Sequence, residues 1–146
     1  MVLGCDIVIA AKEASFALPE ARVGRMPLDG GMTLLQRQIP FRQAMGILLT
    51  GRRVPAAEAL AMGLVNEVVP RADLDAAVDR WAADVLACAP LSLRAIKQVV
   101  RRTAHMTAQE AQAARLPGLV EALRSADSEE GVRAFLEKRT PVWHGR

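Results

Sequence analysis

The sequence predicts a protein of the α/β or α+β class, in which a few short strands precede a helical C-terminal half. Short apolar runs with β-branched residues fall within the first 20 residues, and they have the length of strands. Beyond Pro70, apolar residues recur at the spacing of amphipathic helices. The chain has 146 residues, of which 51% are hydrophobic and 24% charged, a size and balance typical of about one folded domain.

The first elements are predicted as two strands followed by a loop. The runs CDIVIAA (5–11) and ASFAL (14–18) are separated by the polar pair Lys12 and Glu13. The segment ARVGRMPLDGG (21–31) contains three glycines and a proline, and this composition is typical of a loop with constrained backbone geometry.

Prolines and glycines divide the next part of the chain into short elements. A helical period begins at Met32 and is interrupted at Pro40, which starts a second helix or kinks the first. Pro55 and Gly63 stand at the start and the end of a short third helix, the usual positions for these residue types. The segment LVNEVVP (64–70) is predicted as a third strand.

The C-terminal half is predicted as a series of amphipathic helices. Asp73 is a candidate N-cap, and Pro90 begins a further helical period. Three strands leave sheet edges and faces uncovered, so we expect additional chain or a partner subunit to cover them. Two pairs have the three-residue spacing of a capping box, namely Thr107 with Glu110 and Asp127 with Glu130.

Charge and hydropathy argue against nucleic-acid and membrane functions. The net charge is +3, from 19 basic and 16 acidic residues, and neither the part before Pro70 nor the part after it is a basic tail. No aromatic residue lies within a basic stretch, so we expect no nucleic-acid partner. Charged residues interrupt every apolar run well short of the roughly 18 residues that cross a bilayer. We therefore expect no membrane association.

The two cysteines indicate a reducing compartment. Cys5 and Cys88 are 83 residues apart and lack the spacing of a zinc or disulfide motif. Free cysteines are usually buried, so both are predicted as buried thiols. The first residues lack the basic start of a secretory signal. Together these features predict a cytoplasmic location.

The segment FALPEARVGRMPLDGG (16–31) is the strongest candidate for a functional site. Glu20 follows a proline at the end of a predicted strand, and Gly31 lies eleven residues later at the start of a helix. We expect the carboxylate and the helix N-terminus to face one cavity, an arrangement that suits acid/base catalysis. The alternative is that Glu20 is a solvated loop acid, as most loop glutamates are.

Other kinds of site are disfavoured. The glycine-rich loop lacks the motifs of nucleotide-binding loops, and Asp29 within it would repel an anion. His105 and His144 have no partner at metal-ligand spacing, so we expect two surface histidines and no metal. Trp143 is interpreted as a packing anchor for the C-terminal tail.

Four motifs occur in the order of a known family pattern. They are CDxxxA at 5–10, FxxPE at 16–20, GxxPxxGG at 24–31 and LTGxxxxAxxAxxxGLV at 49–65. In this combination the chain resembles the C-terminal half of the enoyl-CoA hydratase/isomerase (crotonase) family. The stretches SFALPE and AFLEKRTPVWHGR are similar to the carnitinyl-CoA dehydratase branch.

The resemblance implies a fold and an assembly. The fold would be the crotonase-like spiral of ββα units, of which this chain would form only the C-terminal part. Residues 1–70 would complete the catalytic core, with Glu20 and the loop GRMPLDGG (24–31). Residues 71–146 would form a helical trimerisation region, and the protein would be a homotrimer or a hexamer.

The resemblance also implies roles for individual residues. Glu20 falls on one of the two acid/base carboxylates of hydratases in this family. Pro19, Val23 and Leu28 fall on positions that border the acyl pocket. Lys138 falls on a basic residue that approaches the phosphates of coenzyme A, often across a subunit boundary. The alternative for Lys138 is a solvated charge that complements the helix dipole.

The activity implied by the resemblance is that of an acyl-CoA thioester lyase of fatty acid metabolism. The reaction would be hydration of a 2-enoyl-CoA to a 3-hydroxyacyl-CoA, with coenzyme A as part of the substrate and no separate cofactor. Two alternatives remain: an enoyl-CoA isomerase, or a catalytically silent interaction fragment. The family's GGGxE element, with an oxyanion-hole amide and the other glutamate, would precede Met1, so we expect this chain alone to be inactive.

Overall fold

The structure, a computed structural model, describes residues 2–146 and divides the chain into two compact units. The first unit ends at Arg80 and the second is Trp81–Arg146. Helices and strands alternate in the first unit and helices fill the second, so the predicted mixed class is confirmed. The elements are β1 (Ile9–Ala11), β2 (Ser15–Phe16), α1 (Gly31–Gln38), α2 (Phe41–Thr50), β3 (Val54–Pro55), α3 (Ala56–Ala61), β4 (Glu67–Val69), α4 (Leu74–Leu86), α5 (Pro90–Thr103), α6 (Ala108–Ala113), α7 (Pro117–Leu123) and α8 (Ala126–Glu137), with 3₁₀ turns at Val2–Gly4, Pro19–Val23 and Arg71–Asp73.

Two small sheets form in the first unit. β1 pairs in parallel with β4, with Ile9 opposite Glu67 and Ala11 opposite Val69. A parallel pair needs a long crossover connection, which here includes α1, α2 and α3. β2 pairs antiparallel with β3. The sequence did not predict β3, because Pro55 was interpreted only as a helix start.

The core of the first unit lies between the strands and α1, α2 and α3. Val54 has no exposed surface, although it belongs to a strand of only two residues. Pro40 ends the first helical period and precedes α2, so the chain turns there and both helices pack on one core, as one of the two sequence alternatives predicted. The buried members of this core are Ala10, Leu35, Ile39, Ala44, Ile47, Val54, Ala56, Ala59 and Val65.

Two helices of the second unit begin at predicted signals: Pro90 is the first residue of α5, and Thr107 caps α6. The capping box of Thr107 and Glu110 is present: the Thr107 hydroxyl accepts from the Glu110 N–H, and the Glu110 carboxylate accepts from the Thr107 N–H. The second predicted box is wrong. Ser125, not Asp127, caps α8 by accepting from the Ser128 N–H at 3.1 Å.

Asp127 instead anchors the C-terminal tail. Its carboxylate accepts the backbone N–H groups of His144 at 2.7 Å and Gly145 at 2.8 Å. The residue is only 1% exposed. A buried carboxylate with two backbone donors is well satisfied, so this tertiary contact outweighs the local capping preference.

The tail makes further contacts within the second unit. The Trp143 indole donates to the Ala87 carbonyl oxygen at 2.8 Å, and its ring lies against Gly131. This confirms the interpretation of Trp143 as a packing anchor. The carboxylate of Glu130 accepts from both terminal nitrogens of Arg139, at 2.6 and 2.9 Å, and from the Val142 N–H at 3.0 Å.

We expect the Glu130 contact to depend on pH. The hydrogen bonds from Arg139 and then Val142 lower the pKa of Glu130 from 4.5 to about 2. Because the pKa is lower in the folded chain, the contact stabilises the tail above about pH 4.5 and is lost as the pH falls toward 2. Carbon-13 NMR of the Glu130 carboxyl group should show that it titrates well below pH 4.5. Titration of Glu130 near pH 4.5 would contradict this contact.

The prediction of buried thiols is wrong. Cys5 and Cys88 are both exposed. The Cys88 thiol donates to the Asp84 carbonyl oxygen at 3.4 Å, one turn earlier on the same helical stretch. Burial of a single side chain depends on tertiary packing, so the general tendency of free cysteines to be buried does not determine it.

No helix within residues 2–146 is both long enough and apolar enough to cross a membrane. His105 and His144 are exposed, as predicted. No cluster of three potential metal ligands occurs within the described part of the chain.

Candidate functional site

A cavity of about 790 Å³ opens in the first unit. It is bordered by β2, by the loop that follows it and by the helices α1 and α2. The wall is mostly apolar. Its residues are Val2, Leu3, Gly4, Ser15, Phe16, Ala17, Leu18, Glu20, Met26, Pro27, Leu28, Asp29, Gly31, Leu34, Leu35, Ile47, Val54 and Leu64.

Glu20 lies in a 3₁₀ turn, four residues after the end of β2. Pro19 starts the 3₁₀ turn Pro19–Val23, where its fixed φ suits the first helical position. Glu20 is the second residue of this turn, and its carbonyl oxygen accepts the Arg25 N–H at 2.9 Å. The turn therefore fixes the backbone of Glu20 shortly after the end of the strand.

The carboxylate of Glu20 is the unusual feature of the cavity. Its Oε2 is buried and has no hydrogen-bond partner within residues 2–146. A buried polar atom without a partner is costly, so native structures keep few of them and often at functional sites. Glu20 is half-buried, so it is not a fully solvated loop acid. The free lone pairs of Oε2 are available to a water molecule or to a substrate.

The N-terminus of α1 reaches the same cavity through Gly31. A Cβ at Gly31 would lie only 2.5 Å from the Cβ of Pro27, so any other residue would push α1 away from the loop. The first turn of a helix carries partial positive charge. Glu20 and the start of α1 thus line one cavity, as the sequence predicted.

The other predicted pocket residues are distributed differently. Leu28 lines the cavity, with 73% of its surface exposed in this chain. Pro19 and Val23 are exposed and are not part of the cavity wall. Lys138 belongs to the second unit, where it ends α8 with a left-handed φ of 54°. The structure therefore brings Glu20 and Leu28 together, and the roles of all five residues stay predictions.

Several wall residues were not identified from the sequence. Phe16, Leu18 and Val54 come from β2, its continuation and β3, and they meet only through the antiparallel pairing. Asp29 is a second acid in the wall, and the sequence interpretation used it only to exclude a phosphate site. The available signal was its place between Pro27 and the glycine pair, next to the start of α1.

Comparison with known proteins places this chain in a family. The family model for enoyl-CoA hydratase/isomerase matches residues 1–146. The chain belongs to the enoyl-CoA hydratase/isomerase family. Its sequence is 38% identical over 150 residues to the carnitinyl-CoA dehydratases of Salmonella typhi and Salmonella typhimurium.

Solved structures agree with the family assignment. The crystal structure of an enoyl-CoA hydratase from Bacillus anthracis matches with a TM-score of 0.94 and 32% identity, over 99% of this chain and 56% of that one. An enoyl-CoA hydratase from Mycobacterium tuberculosis matches with a TM-score of 0.93 and 32% identity, over 99% of this chain and 57% of that one. The predicted crotonase-like fold is confirmed for the part that this chain represents.

The chain spans only part of its relatives. The alignments cover all of this chain and 58% of each Salmonella protein. This agrees with the predicted match to the C-terminal half of the family pattern.

Proposed function

We propose that the protein carrying this chain is an acyl-CoA thioester lyase that adds water to a 2-enoyl-CoA and gives a 3-hydroxyacyl-CoA. The observation that supports this most strongly is the buried Oε2 of Glu20, which has no partner within residues 2–146 and lines an apolar cavity. A carboxylate in this position can hold a water molecule and take up its proton.

Hydration requires a proton transfer that Glu20 can carry out. Addition of water to a 2-enoyl thioester places hydroxyl on the β carbon and a proton on the α carbon, and negative charge develops on the thioester oxygen. Glu20 would exchange the proton. Backbone N–H donors would stabilise the oxygen, and removal of one such donor typically costs roughly 100- to 1000-fold in rate. The family resemblance implies that these donors would lie N-terminal to this chain.

The cavity wall supports an acyl group as its occupant. Phe16, Leu18, Leu35 and Ile47 present apolar surface, and none of the described wall residues is basic. Such a wall suits an acyl chain better than the phosphates of coenzyme A. We assign the border of the acyl pocket to Leu28, whereas Pro19 and Val23 do not line this cavity. We assign the phosphates of coenzyme A to Lys138 of a neighbouring subunit. No separate cofactor is needed, and a cytoplasmic homotrimer or hexamer would act in fatty acid metabolism.

Substrate assays of the full-length protein test this assignment. Crotonyl-CoA should yield 3-hydroxybutyryl-CoA, with oxygen from labelled water in the product. The isomerase alternative rests on Glu20 as a single carboxylate, which suffices to move a proton between the α and γ carbons of a 3-enoyl-CoA. Double-bond migration without incorporation of labelled oxygen would favour that alternative. Turnover of neither substrate would contradict both reactions.

A second candidate is a catalytically silent interaction fragment. Two observations favour it: β1 pairs only with β4 among residues 2–146, and α8 exposes 82% of Phe135 and 74% of Leu136. An open strand edge and exposed apolar side chains promote association.

We therefore expect the isolated 146-residue chain to associate rather than remain monomeric. Sedimentation at low concentration should give species heavier than the 15.8 kDa monomer. A compact monomer with a cooperative melt would contradict this expectation. The intact mass of the natural protein separates the two candidates: a value near 15.8 kDa supports the fragment, and a value nearly twice as large supports the enzyme.

A further inference from the structure

The 3₁₀ turn that carries Glu20 is attached to the C-terminus of α2 by one side chain. The Nε of Arg22 donates to the carbonyl oxygen of Thr50 at 2.7 Å. Thr50 is the last residue of α2, and the last carbonyls of a helix lack partners within that helix. A guanidinium donor is suited to such a carbonyl by its hydrogen-bonding capacity and its charge.

The residue after Thr50 makes a second contact with the same turn. Gly51 has a φ of +58°, which other residues adopt with strain. A Cβ at this position would lie 3.1 Å from the Cα of Pro19 and 3.2 Å from the Nε of Arg22. The chain at the C-terminal end of α2 thus contacts the turn on both sides of Glu20, at Pro19 and at Arg22.

These contacts matter because nothing in the described chain holds the carboxylate itself. The buried Oε2 of Glu20 has no hydrogen-bond partner within residues 2–146. The position of Oε2 is therefore set by the backbone of the turn and by the packing around the cavity. A change in the attachment of the turn moves the carboxylate, and a misplacement of about 1 Å can cost roughly 100-fold in rate.

We propose that Arg22 is a positioning residue, which holds the turn Pro19–Val23 against the C-terminus of α2 and so fixes the carboxylate of Glu20 in the cavity. This inference rests on the proposed function of Glu20. The Arg22 side chain is exposed and does not line the cavity, so it acts through the turn and touches no substrate there.

The test compares three variants of the full-length protein. Arg22→Ala should lower kcat for crotonyl-CoA about tenfold and leave KM within about twofold, because acyl binding does not involve this side chain. Arg22→Lys should recover most of kcat, since an ammonium can also donate to the Thr50 carbonyl. The matched control is Arg25→Ala, because Arg25 is also an exposed arginine and lies close by in the sequence. It should keep wild-type kcat.

Hydrogen exchange supplies a readout besides activity. Amides of residues 19–25 should exchange faster in Arg22→Ala than in wild type, and at the wild-type rate in Arg25→Ala. Wild-type kcat in Arg22→Ala, with Glu20→Gln inactive, would overturn the inference and leave the function of Glu20 intact. A lower kcat together with a higher KM and a lower melting temperature, and no recovery in Arg22→Lys, would indicate a merely structural role. That result would also overturn the inference. Normal turnover by Glu20→Gln would overturn the proposed function and the inference with it.

Discussion

Replacement of Glu20 by glutamine should lower kcat of the full-length protein by at least about 100-fold, the low end of what a positioned acid or base contributes. Glutamine has nearly the same size, so the cavity wall and the Pro19–Val23 turn remain in place. Its amide cannot take up a proton from water. Folding and binding of coenzyme A should therefore survive, and the loss should fall on kcat and kcat/KM alike.

Glu13→Gln provides the matched control for this variant. Glu13 is an exposed acid near the start of β2 and is not part of the cavity wall. Its substitution should leave kcat unchanged. Steady-state kinetics with crotonyl-CoA and with a 3-enoyl-CoA would measure both variants. Near-normal turnover of both substrates by Glu20→Gln would refute the assignment of Glu20.

Replacement of Asp127 by alanine should lower the free energy of unfolding by about 2 to 3 kcal/mol, because a hydrogen bond to a charged group contributes roughly 1.5 to 3 kcal/mol. Two such bonds, to the N–H groups of His144 and Gly145, are lost. The penalty stays below their sum, since the released tail exposes both N–H groups to water. Urea unfolding measures the change, and limited proteolysis should show earlier cleavage of the tail.

Two further variants separate the tail contact from a general helix effect. Asp127→Asn retains one carbonyl acceptor and should lose about half as much as Asp127→Ala. Glu129→Ala removes an exposed acid from the same turn of α8 and should change stability by less than about 0.5 kcal/mol, as surface substitutions usually do. An Asp127→Ala variant as stable as Glu129→Ala would show that the carboxylate does not hold the tail.

Local chemistry made much of this fold predictable. Pro40 and Pro90 cannot continue a preceding helix, so each marks a helix boundary that the structure has within one residue. The capping box of Thr107 and Glu110 closes within a single turn and needs no distant partner. The four motifs, in their order along the chain, also predicted the family, because each motif depends only on residues that are close together in the sequence.

The candidate site was predictable to a smaller extent. The motif FxxPE and the glycine pair were enough to bring Glu20 and the start of α1 to one cavity. The burial of Oε2 was not predictable, since it depends on walls contributed by β3, α2 and the 3₁₀ turn Val2–Gly4. Residues as far apart as Leu3 and Leu64 meet there, and no local pattern encodes such a contact.

The sequence alone therefore determined the mixed class, the family, the helix starts at Pro40, Pro90 and Thr107, and Glu20 as a candidate site residue, because these depend on short-range spacing and residue type. Only the tertiary structure decided that Asp127 holds the tail rather than caps α8, that the two cysteines are exposed, and that Arg22 attaches the turn to Thr50. Each of these outcomes depends on which distant backbone group arrives beside the side chain. A contact across 17 or 28 residues forms only after the chain has folded, and its energy can outweigh a local preference of about 1 kcal/mol.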